Sequence, residues 1–129
     1  MQTEKKRILL VDDDPDVTTL IQSRLQSNGY EVDVAHSGKE GLERIKSQAK
    51  PDLVILDVIM PGLSGYEVCA QIKSDINLCV PVLMLTSRSR TLDERMGYYC
   101  HADAYIRKPM SSELLIPEIM RIFAQQPKK

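Results

Sequence analysis

The chain has 129 residues, of which 43% are hydrophobic and 27% charged, and its net charge is -1. These values predict one globular domain with a real core and give no electrostatic reason to expect binding to nucleic acid or to a membrane surface. No apolar stretch approaches the roughly 20 residues of a membrane span. The N-terminus lacks the apolar core of a signal peptide, and the three cysteines show no CxxC spacing. We therefore expect a cytoplasmic protein with reduced thiols.

Strand-like and helix-like segments alternate along the whole chain. Apolar runs predict strands at residues 7–11, 53–56, 81–85 and 103–107, and the alternating run 31–35 predicts a short strand with one exposed face. Each run precedes a segment with helical spacing of apolar residues, and three of these segments open with a capping box, at Ser37, Ser64 and Thr91. Asp14 followed by Pro15 predicts the cap of the first helix. Five strand–helix pairs favour an α/β fold, a five-stranded parallel sheet between helices.

The apolar stripes of the helices predict which helix faces are buried. The stripe of the first helix consists of Val17, Leu20, Ile21 and Leu25, and that of the third consists of Val68, Cys69, Ile72 and Ile76. The fourth helix has only a thin stripe, formed by Leu92, Met96 and Tyr99. Pro117 lies in the last helical segment and is expected to kink that helix or to delay its regular start.

Asp57 ends the apolar run 53–56, which has the composition of a strand buried on both faces. An aspartate at such a position must be solvated, paired or metal-bound, because a lone buried charge costs several kcal/mol. Asp12 and Asp13 end the first strand, and the carboxyl ends of parallel strands share one crevice. We expect the three acids to meet there and to bind Mg²⁺, which prefers oxygen ligands and relieves their repulsion. Alternatively, Asp12 and Asp13 only cap a helix and solvate a turn, as Asp14 is expected to do.

Thr86 and Lys108 follow the fourth and fifth strands and are expected at the rim of the same crevice. A hydroxyl and an ammonium group both suit the oxygens of a phosphoryl group. A carboxylate such as Asp57 can accept that group, because the reaction needs positioning and charge neutralisation more than a strong base. Strand-end threonines and surface lysines are common, so neither residue carries much weight alone.

Five segments of the chain together carry a family resemblance: residues 8–13, 52–65, 85–87, 102–106 and 108–109. In their order and spacing the chain resembles the receiver domains of bacterial two-component response regulators over nearly its whole length. The resemblance implies a flavodoxin-like sheet with strand order 2-1-3-4-5 and five helices. It also implies that residues 1–129 form a single receiver domain, with a core from about residue 6 to residue 124. The chain would then contain no nucleic-acid-binding domain.

The resemblance implies a phosphorylation-dependent switch that catalyses only its own phosphoryl transfer and dephosphorylation, and not an enzyme. Asp57 would accept the phosphoryl group from a sensor histidine kinase or a phosphotransfer protein. Asp13, Asp57 and the backbone carbonyl of Ile59 would bind Mg²⁺, and Asp12 would act through water. The modified domain would control a downstream protein target or an output domain, and the resemblance allows for a phosphorylation-dependent homodimer.

The resemblance also implies how the signal is read. Thr86 would turn toward the phosphoryl group and Lys108 would pair with it. Tyr105 would swing from an exposed to a buried position. This movement would change the face made by the predicted fourth helix, fifth strand and fifth helix.

Three residues depart from the family pattern. Ile59 and Arg88 lie two residues after Asp57 and Thr86, where they flank the route of an attacking water. Because Ile59 cannot orient water by hydrogen bonding, we expect slow dephosphorylation. His101 stands where the family usually has glycine, so the local turn is expected to differ.

Two other functions are compatible with an acidic site of this kind. The first is a Mg²⁺-dependent phosphohydrolase related to the haloacid-dehalogenase-like phosphatases, but these need a second aspartate where this chain has Ile59. The second is a pseudo-receiver that keeps the fold as a binding module without taking phosphate, and the full set of Asp12, Asp13, Thr86 and Lys108 argues against it. The sequence is compatible both with a complete regulator and with a segment of a longer one.

Overall fold

The computed structural model describes residues 5–47, 50–58, 60–75, 78–86, 102–107 and 112–125. Its strands are β1 (Arg7–Val11), β2 (Glu31–Ala35), β3 (Leu53–Asp57), β4 (Val82–Thr86) and β5 (Ala104–Arg107). The helices in the described part of the chain are α1 (Pro15–Ser27), α2 (Gly38–Ser47), α3 (Gly65–Ser74) and α4 (Ser112–Gln125). The helix expected around Leu92, Met96 and Tyr99 lies outside the described residues, so α4 corresponds to the predicted fifth helix.

The five strands form one parallel sheet in the order β2-β1-β3-β4-β5, which confirms the predicted order. The chain first adds β2 on one side of β1 and then continues with β3 on the other side, so strand order reverses between β1 and β3. The central strand β3 is buried at all five positions. Helices on both faces explain this burial and the unbroken apolar run that encodes it.

The core consists of two layers, one on each face of the sheet. Alternate residues of a strand point to opposite faces, so that Leu9 and Val11 join one layer while Ile8 and Leu10 join the other. Buried residues of α2 and α3 complete the first layer: Ile45, Val68, Cys69 and Ile72. Buried residues of α1 and α4 complete the second: Ile21, Leu25, Leu115, Ile119 and Ile122. No helix in the described part of the chain is long and apolar enough to cross a membrane.

Two of the predicted helix caps have the expected form, those of α1 and α3. The Asp14 carboxylate accepts hydrogen bonds from the backbone N–H groups of Asp16 and Val17, with Pro15 in the first turn. Ser64 and Glu67 form the complete reciprocal capping box at the start of α3. The box expected at Thr91 lies outside the described residues.

The structure corrects one prediction about a helix face and excludes one of the two effects expected of Pro117. Leu20 is 55% exposed, whereas Thr18, which was not expected in the core, is 3% exposed. The buried face of α1 is centred on the line through Thr18, Ile21 and Leu25, and Leu20 lies about 100° away from Ile21 around the helix axis. Of the two effects expected of Pro117, a kink or a delayed start, the delayed start is excluded, because α4 begins five residues earlier at Ser112. The apolar face of α4 outweighs the loss of one helical hydrogen bond.

Candidate functional site

Three carboxylates meet at the carboxyl edge of the sheet, where strand order reverses. Val11 of β1 is in register with Leu56 of β3, so the residues that follow them, Asp12 and Asp57, are neighbours. Asp13 comes next in the chain, and one carboxylate oxygen from each of the three acids lies within 4.8 Å of the other two. The structure therefore brings together the acids that the sequence places at two separate strand ends.

The three acids differ in burial and support. Asp12 is 0% exposed and Asp57 is 6% exposed, while Asp13 is open to solvent. The backbone N–H of Asp12 donates to the carbonyl of Ala35 at 3.1 Å, and its Oδ1 accepts from the N–H of Asp14 at 3.0 Å. Every buried side-chain nitrogen and oxygen among the described residues has a hydrogen-bond partner. The site is therefore a cluster of acidic side chains, held partly by backbone hydrogen bonds, at the end of an apolar sheet.

The donor set of this cluster fits a small divalent cation. The three carboxylate oxygens lie within 4.8 Å of one another, and two unit charges at that limit repel by about 3.5 kcal/mol at an effective dielectric constant near 20. A cation bound among them removes this repulsion, and carboxylate oxygens are the ligands that Mg²⁺ prefers. Asp12, Asp13 and Asp57 therefore form a site of the type that holds Mg²⁺.

Other predicted site residues are described only in part. Thr86 ends β4 in register with Arg107, the last residue of β5, so both strands end at the same edge of the sheet as the acids. The side chain of Tyr105 is half-buried and packs against the core layer beneath α2 and α3. Four predicted residues lie outside the described part of the chain: Ile59, Arg88, His101 and Lys108.

Sequence reasoning missed Gly65, which the structure places against the backbone of Asp57. A β-carbon at residue 65 would lie 2.2 Å from the Asp57 carbonyl oxygen. The one signal in the sequence is a glycine inside the capping box that runs from Ser64 to Glu67, where a better helix former would be expected. That signal alone does not reveal which atoms the glycine touches.

The chain has a doubly wound sheet with three carboxylates at the point where strand order reverses. These features place it in the class of α/β proteins that bind a divalent cation at the carboxyl edge of the sheet. Comparison with known proteins makes this class specific. Residues 8–120 match the family model of the response regulator receiver domain, and the chain belongs to this family. As a receiver domain it is a phosphoacceptor signalling module and not a conventional enzyme, and receiver domains take their phosphoryl group from histidine kinases.

Similar proteins of known sequence are regulators of about twice this length. The chain is 43% identical over 127 residues to the uncharacterized transcriptional regulatory protein YrkP of Bacillus subtilis, covering 95% of this chain and 53% of that protein. It is 42% identical over 106 residues to the alkaline phosphatase synthesis transcriptional regulatory protein PhoP of the same organism, covering 82% and 43%. The chain thus spans about half the length of the curated relatives that it matches.

Solved structures of receiver proteins share the whole fold. A putative response regulator from Chloroflexus aurantiacus has a TM-score of 0.89 and 32% identity, covering 95% of this chain and 100% of that one. The response regulator TrrA of Thermotoga maritima, solved in complex with Mg²⁺ and BeF, has a TM-score of 0.81 and 36% identity, covering 91% and 98%. These matches confirm the predicted family and its α/β fold.

Proposed function

We propose that Asp57 accepts a phosphoryl group from a sensor histidine kinase or a phosphotransfer protein, and that the modified domain controls a protein target or an output domain. One observation carries this proposal. The Asp57 carboxylate is nearly buried at the end of the central strand, yet it lies within 4.8 Å of the carboxylates of Asp12 and Asp13. Carboxylates clustered in this way are unfavourable for stability and are typical of functional sites. A bound cation and a phosphoryl group account for this cluster.

Asp13, Asp57 and the backbone carbonyl of Ile59 hold Mg²⁺ in this proposal, and Asp12 contacts it through water. When bound, the ion neutralises negative charge on the carboxylate and phosphoryl oxygens. The chain itself supplies orientation. The hydrogen bond from the Asp14 N–H to Asp12 Oδ1 restricts Asp12, and the backbone of Asp57 is held by its pairing with Leu85 of β4.

The transfer step forms one bond and breaks one. A carboxylate oxygen of Asp57 bonds to phosphorus while the bond between phosphorus and the imidazole nitrogen of a phosphohistidine breaks. The imidazole keeps the electron pair and takes a proton from solvent. The product is an acyl phosphate on Asp57, whose burial limits the approach of water.

The readout rests on residues at the ends of β4 and β5. In this proposal the Thr86 hydroxyl and the Lys108 ammonium bind phosphoryl oxygens. Thr86 turns toward the phosphoryl group, and Tyr105 moves from its half-buried position to a buried one. The face formed by β5, α4 and the segment between residues 92 and 99 then changes, and a partner binds to one of its two forms.

Incubation with Mg²⁺ and acetyl phosphate, followed by intact-mass spectrometry, tests the proposal. We expect one phosphoryl group per chain in the native protein and none in Asp57→Asn, with Asp33→Asn on β2 as a control that is still labelled. Beryllofluoride should bind under the same conditions. Turnover of many phosphate esters would favour a phosphohydrolase instead, and no response to either reagent would favour a pseudo-receiver.

Ile59→Asn is expected to shorten the lifetime of the phosphorylated protein by roughly tenfold, because an amide can orient the attacking water and an aliphatic side chain cannot. The measurement follows loss of the phosphorylated species after the phosphodonor is removed. Ile59→Leu, which keeps the site apolar, should retain the native lifetime. A native chain that loses its phosphoryl group as fast as Ile59→Asn would contradict the expectation.

A further inference from the structure

Gly65, the first residue of α3, packs directly on the backbone of the proposed phosphoacceptor. Its N–H donates a hydrogen bond of 2.9 Å to the carbonyl of Val58. A β-carbon at this position would lie 2.2 Å from the Asp57 carbonyl oxygen and 2.9 Å from the Val58 Cα, whereas real β-carbons essentially never approach such atoms within 3.0 Å. The contact between α3 and β3 therefore exists only because residue 65 has no side chain.

Space, and not backbone conformation, requires this glycine. Among the described residues the glycines with positive φ are Gly29 and Gly62, and Gly65 is not one of them. An alanine could therefore adopt the backbone conformation of residue 65 without strain. What it could not do is fit between the start of α3 and the peptide that joins Asp57 to Val58.

Both sides of the contact are held in place, so that a clash could not be relieved by a change of side-chain rotamer. The Asp57 end of β3 is paired with β4, and the Val58 N–H donates to the Leu85 carbonyl at 2.9 Å. The start of α3 is held by the reciprocal bonds of Ser64 and Glu67. Two backbones would have to separate by about 1 Å to admit a β-carbon.

We propose that Gly65 is a positioning residue of the site: by resting on the Asp57–Val58 peptide, the start of α3 keeps the Asp57 carboxylate at its distance from Asp12 and Asp13. The inference deepens the proposed function and rests on it for its chemical meaning. A misplacement of about 1 Å in a reacting group can cost on the order of 100-fold in rate. Metal binding by the same carboxylate depends on the same geometry.

The test compares Gly65→Ala with two other glycine-to-alanine variants, using Mg²⁺ alone as the probe. Gly38→Ala introduces a clash at the start of α2, where the nearest atom is Val68 Cγ2 at 2.6 Å. Gly29→Ala introduces only strain, because φ is +90° there and no atom lies within 4 Å of the added carbon. Urea unfolding gives the stability of each variant, and isothermal titration gives its dissociation constant for Mg²⁺.

We expect the dissociation constant to rise roughly tenfold or more in Gly65→Ala and to stay within about twofold of the native value in both controls. The amide chemical shifts of Asp57 and Val58 in Mg²⁺-free protein should also change in Gly65→Ala alone. Native affinity in Gly65→Ala, or equal weakening in all three variants, would overturn the inference.

If Gly65→Ala does not fold, Ser64→Ala provides the test, because it loosens the start of α3 without adding an atom. We expect faster hydrogen exchange of the Val58 amide and weaker Mg²⁺ binding, and the inference fails if both stay native. Labelling of the native chain by acetyl phosphate decides the proposed function separately. If the native chain is not labelled but its Mg²⁺ affinity still falls in Gly65→Ala, the role of Asp57 as phosphoacceptor is overturned. The role of Gly65 in positioning Asp57 then still holds.

Discussion

Asp12 and Asp13 are neighbours in the chain but have different surroundings in the folded protein. Asp12 is fully buried and accepts a backbone hydrogen bond from Asp14, so its direction is set by the protein. Asp13 is exposed, and its carboxylate is the member of the triad that water reaches most freely. Substitution of Asp13 therefore changes the charge of the site without leaving a cavity in the core.

Asp13→Asn is expected to raise the free energy of unfolding in Mg²⁺-free buffer, because it removes repulsion from the triad, and to weaken stabilisation by Mg²⁺. With Mg²⁺ at 100 times its dissociation constant, the free energy of unfolding of the native protein rises by about 2.7 kcal/mol. For a variant that binds Mg²⁺ tenfold more weakly, the rise at the same concentration is about 1.4 kcal/mol. Urea unfolding with and without Mg²⁺ measures both effects. Asp16→Asn alters an exposed acid of α1 outside the triad, and Mg²⁺ should stabilise this variant as much as the native chain. If Mg²⁺ also stabilises Asp13→Asn as much as the native chain, the prediction is contradicted.

At the scale of secondary-structure elements, the capping box predicted at the start of α2 forms with one backbone donor different from the expected one. The Glu40 N–H donates to Ser37 Oγ at 3.1 Å, as the capping box requires. The Glu40 carboxylate, however, accepts from the His36 N–H at 3.0 Å, one residue before the expected donor. This bond, followed by the side-chain bond with Arg44, lowers the pKa of Glu40 below its ordinary value of 4.5.

A lowered pKa in the folded state means that Glu40 stabilises the protein above pH 4.5 and that this contribution is lost as the pH falls through the folded-state pKa. Glu40→Gln is therefore expected to lower the free energy of unfolding by about 0.5 kcal/mol at pH 7. The effect is small because the Glu40 side chain is partly exposed. The difference from the native chain should shrink as the pH falls below 4.5, because the folded-state pKa lies below that value. Urea unfolding from pH 3 to pH 7 measures it, with Glu43→Gln on the same helix as the control. A difference that does not change with pH would show that the charge of Glu40 is not responsible.

At the scale of the whole molecule, two carboxylates join neighbouring strands at the amino edge of the sheet, opposite the site. The Asp52 carboxylate accepts from the Arg7 N–H at 2.8 Å, and the Asp103 carboxylate accepts from the Val82 N–H at 2.7 Å. Lys73 of α3 donates to Asp103 at 2.6 Å, so helix, β4 and β5 are tied together. Each carboxylate satisfies the first N–H of a strand, which would otherwise lack a partner in the sheet.

Asp103→Ala is expected to lower the free energy of unfolding by about 2 kcal/mol, because the buried Val82 N–H loses its acceptor and Lys73 loses its ion pair. Glu43→Ala removes an exposed carboxylate from α2 and should stay within about 0.5 kcal/mol of the native chain. Urea unfolding of the two variants side by side measures the difference. Similar losses in both would indicate that Asp103 acts only as a surface charge.

Sequence by itself was sufficient for the strands, the helix starts and a parallel sheet, because apolar runs and caps are local signals. The strand order was expected only through the resemblance to the receiver family. Asp12, Asp13 and Asp57 could be placed together in advance, since parallel topology alone brings their strand ends to one edge. Only the tertiary structure decided that Thr18 and not Leu20 faces the core. Only the tertiary structure showed that Gly65 lies against the backbone of Asp57. These features depend on how a helix is rotated against the sheet and how closely two backbones approach. Both are set by packing between distant parts of the chain.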